Sequence, residues 1–293
     1  MDFAIVGVAR CGTTSLYHYL KQHPDIGLPN KKEPKYFSSK FKHFPHRGPG
    51  DSQVDEDVIK SKNEYAQIFE SIKHHRIIGE ASSDYFYFHE KVIPELKLNY
   101  GSNLKIIICI RNPSERAFSA YSNLVRDSRE TLSFKEGLLQ ESKRIKDNYD
   151  WMWHYTSGSL YSSGIENFQK NFQNVLVILN EDLKNNPELT LRKVFKFLNV
   201  SNNFIPDMKI QYSPSGQPRN RVIKLITSRT NHLSKLRKFV LNIIPRKRLE
   251  IISKRFFNKQ DIDQRIALEL RQFFRKDVEK TEKLIHRDLT SWK

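Results

Sequence analysis

The opening run FAIVGVARCGTTSL, residues 3–16, constrains this chain more than any other stretch. Four apolar residues lead into a Gly-x4-Gly frame, Gly7 to Gly12, and Thr13-Thr14-Ser15 then open a helix. Strand, glycine loop and helix in that order make a parallel α/β unit, with backbone N–H groups and a helix N-terminus turned toward an anion. A nucleoside-triphosphatase loop would carry lysine where Thr13 stands. The nearby cation here is Arg10, on the other side of Gly12. A plain strand-to-helix turn carries the same two glycines, so the loop alone leaves both readings open.

The rest of the chain repeats the alternation. Residues 2–8 read as a buried strand and 13–22 as a helix, followed by a turn at HPDI and the basic loop NKKEPKYF (30–37). Residues 40–56, rich in Pro, Gly and charge, read as an irregular loop. A helix is expected over 61–73 and a strand over 76–81. LKIIICI (104–110) is a continuous apolar run of the kind found in a central parallel strand, and Pro113 suits the first turn of the helix behind it. NVLVIL (174–179) is a further strand, with a helix over 187–198. This order predicts an α/β fold: a P-loop-like parallel sheet flanked by helices. Strand signals stop after Pro218, and the tail reads as helices interrupted at Pro245. The expectation is one domain over 1–293, with an α/β core at 1–218 completed by a helical, basic part at 219–293.

Composition narrows the setting. The longest unbroken apolar runs, such as IIICI at 106–110, are too short to span a bilayer. The first strand opens at Phe3 without a basic leader or cleavage site, and two cysteines make no disulfide framework. A cytoplasmic protein is expected, with peripheral membrane contact left open. Net charge is +17, and between Arg219 and Lys259 thirteen Lys or Arg face one acid, Glu250. Such a surplus implies an anionic partner: a nucleotide, an acidic polymer, a lipid surface or nucleic acid. No RNA- or DNA-binding signature accompanies the charge, so nucleic acid is disfavoured.

Two absences shape the chemistry. The loop lacks the lysine, and the strand that would supply a metal-binding acid ends in Arg111 instead. RNPSERAFSAY (111–121) places Arg111 at that strand's C-terminal end and Ser119 two helical turns further on, on the sheet edge where α/β proteins bind ligands. The site therefore reads as one for a phosphate handled by cations and backbone amides, with no metal.

Together these two motifs resemble the sulfotransferases that use 3′-phosphoadenosine 5′-phosphosulfate (PAPS), particularly the heparan-sulfate type and its bacterial relatives. EPKYF (33–37), GEASSDYF (79–86), SLYSSGIENFQKNF (159–172), SGQPRN (215–220) and DLTSW (288–292) are similar to further family segments, so the resemblance runs nearly end to end. It implies that Arg10, Cys11, Gly12, Thr13, Thr14 and Ser15 grip the 5′-phosphosulfate, and that Arg111 and Ser119 grip the 3′-phosphate. Tyr161 and Arg219 are expected near the nucleotide, Glu33 is the candidate general base, and Arg10 also stabilises the leaving phosphate. The acceptor implied is a carbohydrate or glycolipid hydroxyl, with an amine left open. The chain departs from the heparan type at Arg10 (lysine there), at Glu80-Ala81 (Glu-Lys there) and at Lys35 (histidine there), which weakens any transfer of glycosaminoglycan specificity.

Plainer roles stand beside these. Glu33 in KKEPK also fits a solvated charge, and Tyr161, Trp151 and Trp153 also fit the core. His43 and His46 have ligand-like spacing but no evident third ligand. Two rival classes are a P-loop kinase or NTPase, and a non-enzymatic binder of nucleic acid or anionic membrane acting through LSKLRKFVLNIIPRKRLEIISKRFF (233–257).

Overall fold

In the computed structural model, five parallel strands form one sheet in the order β2-β3-β1-β4-β5. They are β1 (Phe3–Gly7), β2 (Ile26–Gly27), β3 (Ile77–Ala81), β4 (Lys105–Ile110) and β5 (Val175–Leu179). The structure describes residues 1–208 and 261–293, together with the backbone of a short antiparallel pair, Gln217–Pro218 with Phe257–Asn258. The tail reading around Pro245, Arg219 and the basic 219–259 stretch otherwise lie outside the described residues.

β1 and β4 are the centre of the core. Every residue of β1 is buried, and Ile106 to Ile110 of β4 have no exposed surface. A strand covered by helices on both faces has no polar side to alternate with, which is why IIICI, behind the partly exposed Lys105, is unbroken. Each such aliphatic side chain contributes roughly 1.5–3 kcal/mol of burial.

The helices that carry the site follow from local signals. α1 (Thr13–Leu20) begins at Gly12, whose φ of 93° is in the left-handed region. Short helices α2 (Tyr36–Ser39), α3 (Asp51–Glu56) and α4 (Lys62–Gln67) precede β3, and α5 (His89–Tyr100) follows it. α6 (Pro113–Arg126) is capped by Asn112, whose side chain accepts from the Ser114 and Glu115 amides, with Pro113 in the first turn as expected. After α7 (Phe134–Leu139) and α8 (Glu141–Lys146) come α9 (Ser162–Asn171), α10 (Asn180–Asn185) and α11 (Pro187–Leu198). The last, α12 (Gln264–Ile285), buries Leu270, Phe274, Val278 and Thr281 against α9 and α6. Its Asp277 accepts from the Tyr161 and Ser162 amides (2.8 and 3.0 Å) and so caps α9.

Three differences from expectation have physical causes. The helix expected over 61–73 ends at Gln67 and resumes as a 3-10 turn at Glu70–Ile72. α5 was not expected, because Pro94 stands inside it and breaks the pattern that marks a helix. Residues 40–50 form an irregular loop as expected, but 51–56 are helix α3, and the whole segment is anchored. Buried Asp51 pairs with Arg129 and accepts from Gly48 N, Asp150 N and the Trp153 indole, while Asp55 accepts from the His46 amide and ring (2.7 and 2.6 Å). Proline, glycine and charge signalled a loop; buried ion pairs from distant residues hold it.

Candidate active site

β1 lies between β3 and β4. The chain leaves it toward β2 and β3 and crosses to β4 only afterwards, so a crevice opens at the carboxyl ends of β1 and β4. Both glycines of the loop are required, for different reasons. A Cβ on Gly7 would lie 2.5 Å from Phe86 Cβ, so Gly7 serves close packing. Gly12 needs its positive φ, and a Cβ there would meet the Asn180 amide nitrogen at 2.5 Å. Leu16 N donates to Gly12 O, whereas the amides of Thr13, Thr14 and Ser15 have no acceptor among the described residues. Three amides at a helix start facing a crevice form an anion site.

Cations surround it. Arg10, itself at φ 72°, donates from Nε to Ser119 Oγ at 3.1 Å, joining the two motifs across 109 residues. Burial, then the repulsion of Arg126, Arg111 and Arg116, pulls its pKa down to about 9, with Asp127 opposing. Arg10 thus remains charged at neutral pH in a surplus of positive charge, and an incoming anion relieves that repulsion. Arg111 stands at the end of β4 as expected, but its guanidinium pairs with Glu115 (2.9 and 2.6 Å) while Ser119 is held by Arg10. Arg116, missed in the sequence reading, is fully buried and donates from Nε to Ala9 O at 3.3 Å. Its signal was an arginine on the apolar stripe of α6, in line with Ala120 and Leu124.

Glu33 lies on the β3 side of the crevice, with φ 60°. Its amide donates to Ala81 O (2.9 Å), and its Oε2 accepts from Ser83 N and Oγ (2.8 and 3.0 Å). Lys32 Nζ is 2.5 Å from Oε1. Burial alone would raise its pKa, but Lys32, Lys35 and the Ser83 amide hold it below the ordinary carboxylate range. Glu33 is therefore an ionised, oriented carboxylate. Its partners Lys32 and Ser83 escaped the sequence reading because nothing in the sequence marks which segment meets EPKYF. Beneath it Glu80 is 1% exposed, with no well-formed hydrogen bond to either oxygen among the described residues; burial pushes it up to about 8, and the nearby Tyr85 and Tyr65 hydroxyls oppose this only in part. Asp84 instead has a buried cation, Lys42, at 2.5 Å, and accepts from Ser38 Oγ at 2.6 Å.

The sulfotransferase domain profile matches residues 1–289. A crystal structure of a sulfotransferase from Alicyclobacillus acidocaldarius is 33% identical, with a TM-score of 0.80 over 99% of this chain and 98% of that one. The chain belongs to the sulfotransferase domain family. Similar curated proteins include human carbohydrate sulfotransferase 15, 24% identical over 68% of this chain and 43% of that protein. Mouse heparan sulfate glucosamine 3-O-sulfotransferase 3A1 is 25% identical over 67% and 45%. The membrane-associated sulfotransferase kil1 of Dictyostelium discoideum is 30% identical over 41% and 22%. The chain spans less than half the length of these curated relatives. No described helix is long and apolar enough to cross a membrane.

The remaining expected residues of the sulfotransferase domain divide clearly. Cys11 is buried under the loop, its thiol pushed up to about 11 by burial. Tyr161 has no exposed surface, and its hydroxyl lies 3.9 Å from Cys11 Sγ, so it supports the loop from behind. Trp151 and Trp153 are core residues at 2% and 1% exposure. His46 is committed to Asp55. Arg219 lies outside the described residues.

Proposed function

We propose that this sulfotransferase-family chain moves a sulfuryl group from PAPS to a hydroxyl, most simply that of a carbohydrate. The observation that carries the reading is the Arg10–Ser119 bond at 3.1 Å, which unites the phosphate loop and the α6 motif at one sheet edge. The unpaired amides of residues 13–15 and the surplus of arginines fit a nucleotide with phosphates at two ends. In this reading Arg10 and the amides hold the 5′-phosphosulfate, and Ser119 with Arg111 holds the 3′-phosphate. Arg111 reaches it by leaving Glu115, an exposed pair of low worth.

Glu33 takes the proton from the acceptor hydroxyl as the new oxygen–sulfur bond forms. The bond from sulfur to the bridging oxygen of the donor breaks, and its electron pair stays on the departing phosphate. Arg10 and the amides stabilise that developing charge. Lys32 keeps Glu33 ionised, and the two hydrogen bonds from Ser83 fix its direction. The carbohydrate acceptor is supported by the relatives named for heparan sulfate and carbohydrate sulfation. The chain acts as a single domain in this proposal, since α12 caps α9 and packs on α6.

Calorimetry with 3′,5′-ADP in the presence of EDTA tests the donor site, and sulfate transfer from labelled PAPS onto a panel of glycans and glycolipids tests the acceptor. Binding without magnesium together with labelled glycan is expected. Preference for magnesium-ATP over 3′,5′-ADP would overturn the reading in favour of a P-loop kinase.

A further inference from the structure

Arg116 is a fully buried charged side chain beside the crevice, at 0% exposure, and bonds no carboxylate among the described residues. Its contacts are long and to neutral oxygens: Nε to Ala9 O (3.3 Å), and Nη1 to His154 O (3.4 Å), Tyr155 O (3.5 Å) and Ser159 Oγ (3.4 Å). Nη2 is buried without an acceptor among the described residues. Glu141 acts on it from a distance, with its carboxylate engaged by Thr156 N, Ser157 N and Ser157 Oγ (2.7, 2.8 and 2.7 Å). Removing a cation from water on such terms is unfavourable, and a well-packed apolar side chain is often the more stable choice at such a place. An arginine kept on such terms calls for a role to be tested beside stability.

We propose that Arg116 is the positioning residue of the phosphate loop. This rests on the donor-loop reading above. A trans peptide points its C=O and N–H in opposite directions. By drawing the Ala9 carbonyl inward, Arg116 turns the Arg10 amide outward, at the residue whose φ of 72° brings its own side chain to Ser119. Its other end fastens that geometry to the 154–159 segment, with the guanidinium 5.8 Å from the Trp151 ring. The fit is close, because a Cβ on Gly158 would stand 2.6 Å from Nη1. Gly158 is part of the same device.

Two variants test this from opposite sides. Arg116→Lys keeps the charge but cannot reach both the Ala9 carbonyl and the 154–159 carbonyls. Gly158→Ala keeps the arginine and displaces it. In calorimetry, at a temperature where circular dichroism shows the protein fully folded, each is expected to weaken both 3′,5′-ADP and 5′-AMP about tenfold or more, the loss expected of a charge-assisted hydrogen bond. The ratio of the two affinities stays at its wild-type value, because the loop is assigned to the 5′ side. Affinities within twofold of wild type, whatever the loss in Tm, would show Arg116 to be a fold staple and overturn the proposal. A changed ratio would overturn it too, by placing the effect on the 3′ side. Failure of wild-type protein to bind 3′,5′-ADP at all would instead defeat the donor-loop reading.

Discussion

Ser119→Ala is the most informative single change at the donor site. Ser119 is 6% exposed and its hydroxyl accepts from Arg10 Nε at 3.1 Å, which leaves its own proton free to donate. A bound 3′-phosphate would receive that proton while Arg10 stays in place. Alanine removes both bonds. For 3′,5′-ADP the loss includes one hydrogen bond to a doubly charged group, about 1.5–3 kcal/mol. Both nucleotides also lose the orientation of Arg10, at about 0.5–1.5 kcal/mol, the value of a typical net hydrogen bond, and for 5′-AMP, which has no 3′-phosphate, that is the whole loss. The shared part cancels, so the ratio of the two affinities should fall by roughly ten- to a hundredfold. Calorimetry at fixed salt measures both, and salt must be held because exposed charge is screened. Equal losses for the two nucleotides would refute the assignment of Ser119 to the 3′ side.

Two further outcomes are expected on the acceptor side. Glu33→Gln should lower turnover by about 10²–10⁴-fold while 3′,5′-ADP affinity stays near wild type. Because Lys32, Lys35 and Ser83 hold Glu33 below the ordinary glutamate range, the acid limb of the wild-type rate profile should lie below that range, and a midpoint well above it would move the base elsewhere. Glu80 titrates the other way. Its folded pKa of about 8 exceeds the unfolded value, so the stability it confers is complete in acid and is lost as pH rises toward 8. The groups facing it, Tyr85, Asp84, Tyr65 and Glu33, include no cation. The Tm advantage of Glu80→Gln should accordingly widen from pH 5 to pH 8, at up to about 1.4 kcal/mol per unit. A gap independent of pH would show that Glu80 is already ionised.

The sequence by itself determined the elements whose signals are local. Apolar runs at 3–6 and 106–110, the two glycines of the loop and Pro113 behind Asn112 report burial and backbone conformation residue by residue, and all stand where expected. They were enough to place the glycine loop and the α6 motif on one sheet edge. Which polar groups meet there was decided by tertiary structure. Arg10 reaches Ser119, and Glu33 finds Ser83, because segments 109 and 50 residues apart pack together. Residues 40–56 hold their shape through Arg129 and Asp150, and Tyr161 turned inward under the loop. Periodicity tells how deeply a residue is buried and says nothing about its partner. A buried arginine such as Arg116 shows the difference: its place on the apolar stripe was legible, and its grip on Ala9 exists only once the phosphate loop and the 154–159 segment close around it.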